Sequence, residues 1–334
     1  MFKFCNNPWT TVYISNDTDP DLNKRPGDVG MCLCQNWHNS PSLGNLFDKP
    51  LSEIYQDVQA TMFRETIKDQ TFGYCNTHTC PRYWTMADVS SIDQASNMIK
   101  QTLPIQLSVS IDFNCNLSCA SCRNSKTFST EINEPAWNIL AKLTEAYKDF
   151  QEPTTLSIDG SGDLFTSATW RKYLLSDNIP DCFRFRITTN GNLITKNLDL
   201  IENIKDKISE VTVSLDAGTA ETYKEVRGGN FNLVLDGIKT LVSMGNIKVG
   251  TEFVLQKKNY KEVLLYRDLS REMNTHWIGL SQLVRWSHMS DEWWEENNFE
   301  NNASIDYDLL KSLLREFSKT ENSLMTGGLL KLIK

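Results

Sequence analysis

The chain has 334 residues, 40% of them hydrophobic and 23% charged, with a formal net charge of -8. That length suits about two domains, or one large α/β barrel with a small appendage, and the composition is that of an ordinary globular protein. The acidic balance excludes the basic face that nucleic-acid binding requires, although it leaves room for a local basic pocket.

No apolar run approaches about 18 residues, so no membrane-spanning segment is expected. The opening MFKFCNNPW has no apolar core of a secretory signal, and a cytoplasmic location is the expectation. Nine cysteines in such a chain are expected to be metal ligands or redox groups rather than disulfides.

Five of these cysteines, Cys5, Cys32, Cys34, Cys75 and Cys80, fall in the first quarter. A short strand is expected at 12–15. Residues 16–30 hold four Asp, two Pro and two Gly and read as turns. A helix is expected over 51–68, with Ile54, Val58 and Met62 on one face and Ser52 available as its cap. A segment this irregular has little core of its own, and bound metal would supply folding energy. The polar stretch 90–102 divides the chain into 1–100 and 101–334.

Beyond it, strand-like and helix-like runs alternate. Strands are expected at 105–111, 155–158, 183–188, 210–215, 248–255 and 277–283, each short and apolar at its centre, as buried parallel strands are. A helix over 135–150 carries Trp137, Leu140, Leu143 and Tyr147 at helical spacing, and one over 231–244 carries Leu233, Leu235, Ile238 and Leu241. Six β/α repeats predict a partial or complete (β/α) barrel, with a doubly wound open sheet as the rival. The run after Asp291 is acidic and reads as a solvated face, followed by a helix at 307–319.

Directly after the first of these strands stands Cys115-x3-Cys119-x2-Cys122. One compact loop can turn three thiolates towards one centre. A 4Fe–4S cluster ordinarily takes four, so three leave an iron open for a ligand, as catalytic metal sites do. A zinc knot and a ferredoxin-like cluster are the competing readings; the nearest downstream histidine is His276.

The spacing resembles the signature of the radical S-adenosylmethionine (SAM) superfamily, and further motifs follow at strand ends. Asp159-Gly160-Ser161-Gly162-Asp163 resembles the family's Gly-Gly-Glu element, with Asp163 in place of Glu. Thr188-Thr-Asn190-Gly191 resembles its Thr-Asn-Gly turn, and Ser214-Leu-Asp216-Ala217 its Ser-x-Asp element. The run 221–229, containing Arg227, and the VLQKKN run 254–259 resemble the segments that follow. The resemblance covers about 105–286. It implies an α/β fold with a partial (β/α)6 radical SAM barrel. It implies a catalytic 4Fe–4S cluster on Cys115, Cys119 and Cys122. SAM would be held by Gly160, Gly162, Asp163, Asn190, Ser214, Asp216 and Arg227, with Arg227 a bidentate partner for its carboxylate. Strand ends are where a β/α barrel builds its active site.

The first segment resembles the SPASM/twitch module of the same superfamily. The ordered features are Phe4-Cys5-x2-Pro8-Trp9, Cys32-Leu-Cys34-Gln-Asn-Trp37, the LGNL run 43–46, Arg64, and Cys75-x4-Cys80-Pro81. Here the module precedes the barrel, and its closing pair is C-x4-C rather than C-x2-C. The resemblance implies a small cysteine-rich domain holding a second, auxiliary 4Fe–4S cluster on Cys5, Cys75, Cys80 and one of Cys32 and Cys34, with Cys34 favoured by the Gln-Asn-Trp37 that follows it. Zinc with His78 is the alternative, and the spare cysteine is either a buried thiol or a hydrogen-atom donor. Cys182 reads as a core residue or a strand start, His38 and His288 as ordinary, and Trp286, Trp293 and Trp294 as packing or pocket lining.

The resemblance implies an enzyme that reductively cleaves SAM to a 5′-deoxyadenosyl radical and removes a substrate hydrogen atom. Peptide or protein modification (crosslinking, epimerisation or oxidation) is the leading substrate class. Dehydrogenation or rearrangement of a small molecule or sugar is the alternative, and a non-catalytic iron–sulfur carrier or scaffold is a reading of another class. The expected partners are the peptide or small-molecule substrate and a reductant such as flavodoxin or ferredoxin, with no nucleic acid and no membrane.

Overall fold

The computed structural model describes residues 2–16, 24–32, 42–75, 77, 80, 82–83, 86–99, 101–123, 125–159, 162–285, 289–300, 302–325 and 328–333. Cys34, Trp37, His38, His78, Gly160, Ser161, Trp286 and His288 lie outside them. The contacts divide the chain into two units. Unit 1 is Met1–Phe113, Ser129–Gly162 and Ser167–Arg186, and unit 2 is Asn114–Phe128, Asp163–Thr166 and Ile187–Lys334.

In unit 1 the strands are β1 (Phe2–Phe4), β2 (Thr11–Ser15), β3 (Asp28–Met31), β4 (Gly44–Asn45), β5 (Ala87–Val89), β6 (Gln106–Ser110) and β7 (Thr154–Ile158). Strand β6 runs parallel to β7 on one side and to β2 on the other. β3 and β4 continue from β2 antiparallel, and β1 pairs with β5. The expected strand at 12–15 therefore forms and is buried along its length. Val12 and Ile14 are shielded where β2 joins β6, a strand from beyond residue 100, so the segment draws on core that is not its own.

The helix expected over 51–68 is two helices, α1 (Leu51–Gln56) and α2 (Val58–Lys68). Asp57 breaks the run in extended conformation and caps α2 through its own carboxylate. Ser52 caps nothing, since Pro50 holds the N-cap position. The buried face is Ile54, Tyr55, Ala60, Phe63 and Ile67, whereas Val58 and Met62 are exposed. The break rotates the second helix, so a stripe drawn through one continuous helix picks the wrong residues. Helices α3 (Ile92–Asn97), α4 (Glu134–Tyr147) and α5 (Ala168–Leu174) complete the unit. Asn133 accepts from the Ala136 N–H and starts α4. That helix buries Ala136, Ile139, Leu140, Leu143 and Tyr147. Trp137 sits off this stripe, its ring under the Lys172 ammonium at 4.2 Å. Cys182 is buried, as expected, and donates to the Tyr147 carbonyl at 3.7 Å.

Strand β8 (Phe183–Thr189) has its first four residues in unit 1 and its last three in unit 2. Unit 2 holds four parallel strands, β9 (Ile208–Ser214), β10 (Lys248–Leu255), β11 (Trp277–Gln282) and β12 (Ser323–Met325). All six expected strands form, and β12 is an addition that its short polar sequence did not announce. The helices are α6 (Leu198–Ile204), α7 (Ala220–Arg227), α8 (Phe231–Ser243), α9 (Val263–Glu272), α10 (Asp291–Asn297), α11 (Tyr307–Ser318) and α12 (Leu329–Ile333). α8 buries Ile238 and Leu241 as expected, but Val234 and Gly237 take the places expected of Leu233 and Leu235, which are half-buried. The acidic run after residue 291 is itself helical, with Glu292, Glu295 and Glu296 exposed. Among the described residues no helix is long and apolar enough to cross a membrane.

The loop after β9 is held by close approach. A Cβ on Gly218 would stand 2.5 Å from Leu265 Cβ and 3.0 Å from the Tyr266 backbone nitrogen. Its N–H donates to the Glu262 carboxylate, which also takes the Thr219 N–H and the hydroxyls of Thr219 and Thr222. Gly218→Ala must therefore push the loop off α9, and we expect a loss of about 1–3 kcal/mol, read as a lower midpoint in urea unfolding.

Candidate functional site

The loop carrying Cys115, Cys119 and Cys122 belongs to unit 2. It is closed by an antiparallel bridge in which the Cys115 N–H donates to the Thr127 carbonyl at 2.7 Å. A turn within it lets the Cys119 carbonyl accept from the N–H groups of Cys122 and Arg123. Cys115 and Cys119 are buried around Leu117, and Cys122 is exposed. Burial pushes the Cys115 and Cys119 thiols up from the ordinary cysteine value, so ligation by a metal centre is what would make them thiolates.

Among the described residues no three His, Cys, Asp or Glu side chains close on a single ion. The three thiols nonetheless lie within electrostatic reach of one another. A single zinc draws every donor to about 2.0–2.3 Å of one point, whereas an iron–sulfur cube takes its thiolates at separate corners. Three thiols of one loop are the donor set that a cube with one open corner takes.

Asp163 stands beside this loop. Its N–H donates to the Asn114 carbonyl at 2.7 Å. Its carboxylate accepts from the Thr189 hydroxyl at 2.8 Å, the Asn190 N–H at 2.7 Å and the Phe165 N–H at 3.1 Å. Burial raises its pKa, and those donors work against the rise. The Asn190 amide donates to Asn116 Oδ1 at 2.8 Å and reaches Cys115 Sγ at 3.8 Å. Gly191 turns the chain with φ +79°, where a Cβ would meet Val213 at 2.8 Å.

Asp216 sits past the end of β9 with φ +53°, a left-handed conformation that a non-glycine residue keeps only when its surroundings enforce it. They do so on four sides. Oδ1 accepts from the Val254 N–H at 2.7 Å, Oδ2 from the Arg227 guanidinium at 2.5 Å, and the backbone carbonyl from the Asn259 amide at 3.0 Å. The Asp216 N–H meets the Glu252 carbonyl at 3.4 Å. Arg227 ends α7, and its carbonyl accepts from the Cys119 thiol at 3.6 Å. Burial works against the guanidinium charge, but Cys119 and Asp216 outweigh it and hold its pKa above the usual value. Arg227 Nε is buried with no acceptor among the described residues. Ser214 is half-buried at the end of β9.

Cys115, Cys119, Cys122, Asp163, Asn190, Ser214, Asp216 and Arg227 thus share one unit. Gly162 is half-buried and ends the middle segment of unit 1. Sequence reasoning missed Asn192 and Tyr223. The Asn192 amide donates to the Tyr223 hydroxyl at 2.8 Å, and its side-chain oxygen accepts from the Asn230 N–H at 2.8 Å. The alternation Asn190-Gly-Asn192 was the available signal.

In unit 1, Cys5, Cys32, Cys75 and Cys80 are all half-buried and electrostatically coupled. Burial pushes Cys5 to about 11 and Cys75 to about 12, and the neighbouring cysteines add to both. Cys32 has φ +64° and accepts from the Asn7 amide at 3.2 Å. Arg64 joins the surrounding backbone, donating to the Pro8 and Tyr55 carbonyls at 2.9 Å each.

Asp159 is half-buried just past the end of β7, accepting from the Ser108 hydroxyl at 2.8 Å. Burial lifts its pKa to about 6, against the pull of Ser108 and Arg186.

Two family models match the chain. One, described as the radical SAM superfamily, covers residues 109–269, and one described as an iron–sulfur cluster-binding domain covers 5–81. A protein of Saccharolobus islandicus named "Probable GTP 3′,8-cyclase" is 33% identical over 99 residues, and the match spans 29% of this chain and 31% of that relative's length. One of the same name from Methanococcus aeolicus is 26% identical over 237 residues, spanning 67% of this chain and 74% of the relative. Streptococcus suis SuiB bound to its precursor peptide SuiA superposes with a TM-score of 0.50 at 14% identity, covering 81% of this chain and 62% of that one. At that identity the likeness is one of fold.

Two outcomes test this geometry. Asp163→Ala leaves the Thr189 hydroxyl and Asn190 N–H without their acceptor, so stability should fall by about 1–3 kcal/mol in denaturant unfolding. Asp159 ionises near 6 in the fold against an ordinary 3.8, so its ionisation opposes folding. Its stabilising neutral form is intact below pH 3.8 and is lost as pH rises to about 6. Asp159→Asn should remove that loss, changing the stability difference from wild type by about 3 kcal/mol across the window, measured by unfolding at several pH values.

Proposed function

Because the chain belongs to the radical SAM superfamily and carries a SPASM-type cluster-binding domain ahead of its radical SAM domain, we propose that it is a peptide-modifying enzyme whose radical chemistry starts at Cys115, Cys119 and Cys122. These three cysteines would hold a 4Fe–4S cluster with one corner open to SAM, and the cluster, once reduced, would supply the electron for SAM cleavage that starts removal of a hydrogen atom from an unactivated C–H bond. The observation that carries this reading is the buried Nε of Arg227, which has no acceptor and stands on the residue whose carbonyl meets Cys119. A carboxylate such as that of SAM answers a guanidinium with an edge to spare.

The remaining roles follow from the contacts. Asp216 holds Arg227 in place and is itself locked by Val254 and Asn259. Asp163 positions the end of β8 against the cysteine loop, and its carboxylate has already accepted three hydrogen bonds. We therefore assign it first to positioning, with Asn190 and Ser214 left to line the SAM site. In the first segment, Cys5, Cys75 and Cys80 with Cys32 are the auxiliary-cluster set favoured by their mutual proximity, with Cys34 the other candidate. Functionally this assigns 1–100 to the auxiliary cluster and 101–334 to radical chemistry.

The cluster-binding domain and the fold shared with SuiB, solved with a precursor peptide, support a peptide substrate. A small-molecule substrate is the second reading, favoured by relatives named for a nucleotide cyclisation. Reconstituted without oxygen and given SAM and dithionite, the wild-type chain should release 5′-deoxyadenosine. Cys115→Ala, Cys119→Ala or Cys122→Ala should reduce release to background, while Cys75→Ala loses bound iron and keeps release. A reduced, iron-loaded wild type that releases none overturns the enzyme reading in favour of a carrier.

A further inference from the structure

Strands β9, β10 and β11 have two unlike faces. On β10, Thr251 faces α9, bonding Tyr266 and Ser270, and it is fully buried with Val249 and Phe253. The opposite face carries Glu252, which is only half-buried, as are Ser214, Trp277 and Ser281 on the neighbouring strands. Register sets Glu252 beside Ser214 on one side and Gly279 on the other. It therefore lies two residues, roughly 7 Å, below the level of Asp216.

Two glycines make room on this face. A Cβ on Gly279 would fall 1.9 Å from Glu252 Oε2 and 2.9 Å from the Trp277 ring, and one on Gly250 would fall 1.9 Å from that same ring. The carboxylate thus lies across Gly279 against the edge of the indole, and the indole lies across Gly250.

Each of the two side chains has an unmet demand. Glu252 takes a hydrogen bond from Ser281, the like-charged Asp216 acts on it, and no Lys or Arg forms an ion pair with it among the described residues. Burial, with Asp216 adding to it, lifts its pKa to about 7 despite Ser281. A buried carboxylate without a counter-charge costs several kcal/mol unless it is protonated or paired. The Trp277 indole N–H is buried and has no acceptor among the described residues. An indole donates only, and an ionised carboxylate accepts only.

We propose that this face anchors a basic residue of the substrate peptide, the Glu252 carboxylate pairing with a lysine ammonium or arginine guanidinium and the Trp277 N–H donating to a carbonyl of the same segment. A basic residue in a peptide is the chemistry that answers both demands at once, offering a cation and an acceptor several ångströms apart. The aromatic edge adds a surface on which the aliphatic stem packs. This rests on the peptide reading of the same site and sharpens it to a sequence preference. A nucleoside triphosphate fits this wall poorly, because its phosphates would meet an acid with no cation beside it.

The test uses the full iron-loaded chain without reductant and reads binding by calorimetry. The probes are Nα-acetyl-lysine-N-methylamide, its arginine counterpart, and the norleucine analogue that lacks the charge. The lysine or arginine probe should bind at least tenfold more tightly than norleucine. Glu252→Gln should erase that preference, and Trp277→Phe should weaken binding of the charged probe several-fold. Equal affinity for all three probes, no binding of either charged probe, or a preference that survives in Glu252→Gln overturns the anchor. If Glu252→Gln does not fold, the probe series on wild type decides the matter. The two readings fail separately. A chain that prefers the charged probes yet releases no 5′-deoxyadenosine keeps the anchor and loses the radical reading, and the converse loses the anchor alone.

Discussion

The buried carboxylate of Asp163 is the contact on which the cysteine loop depends. Cys115–Cys122 lie in a segment without helix or strand, and such a segment holds a shape only if its polar groups are answered. The Asp163 N–H takes the Asn114 carbonyl, and its side chain takes donors from Thr189 and Asn190 at the end of β8. Asn190 in turn reaches Asn116 and Cys115. One acid therefore ties the loop to a rigid strand, and it does so from a buried position where each hydrogen bond gains from the low local dielectric.

A second lock lies past β9. Asp216 occupies a backbone region that costs of order 1–3 kcal/mol for a side chain such as this one, and it is held there from Val254, Asn259 and Arg227. The result is a guanidinium fixed on one edge and free on the other, next to Cys119. Glu262 performs the same service for the following loop by gathering four donors at the start of α7. Both locks use acids placed just beyond strand ends, so the chemistry is carried by loops that the sheet and helices hold still.

Much of this was legible because it is local. The triplet Cys115-x3-Cys119-x2-Cys122 is visible in its spacing alone, and the runs at 210–215 and 248–255 announce buried strands by their continuous apolar character. The failures arose where one residue decides a direction. Asp57 breaks what periodicity reads as one helix, and Val58 and Met62 turn outward as a consequence. On α8 the buried face takes in Gly237, where a Cβ would stand 3.0 Å from the Gly191 carbonyl, and Leu233 and Leu235 stay half-buried. Trp277 and Glu252 read as ordinary strand residues, and only the empty places at Gly250 and Gly279 reveal why they stand where they do.

The sequence by itself determined the six strands expected between 105 and 283 and the cysteine triplet that follows the first of them, since each is written in spacing along the chain. The tertiary structure alone decided that β2 would join β6 across some ninety residues of chain, that Cys32 would stand with Cys5, Cys75 and Cys80, and that Asp163 would spend its carboxylate on the protein's own donors. Those outcomes depend on hydrogen bonds and packing between residues far apart in sequence, and no local pattern records which distant donor or neighbour a side chain will meet.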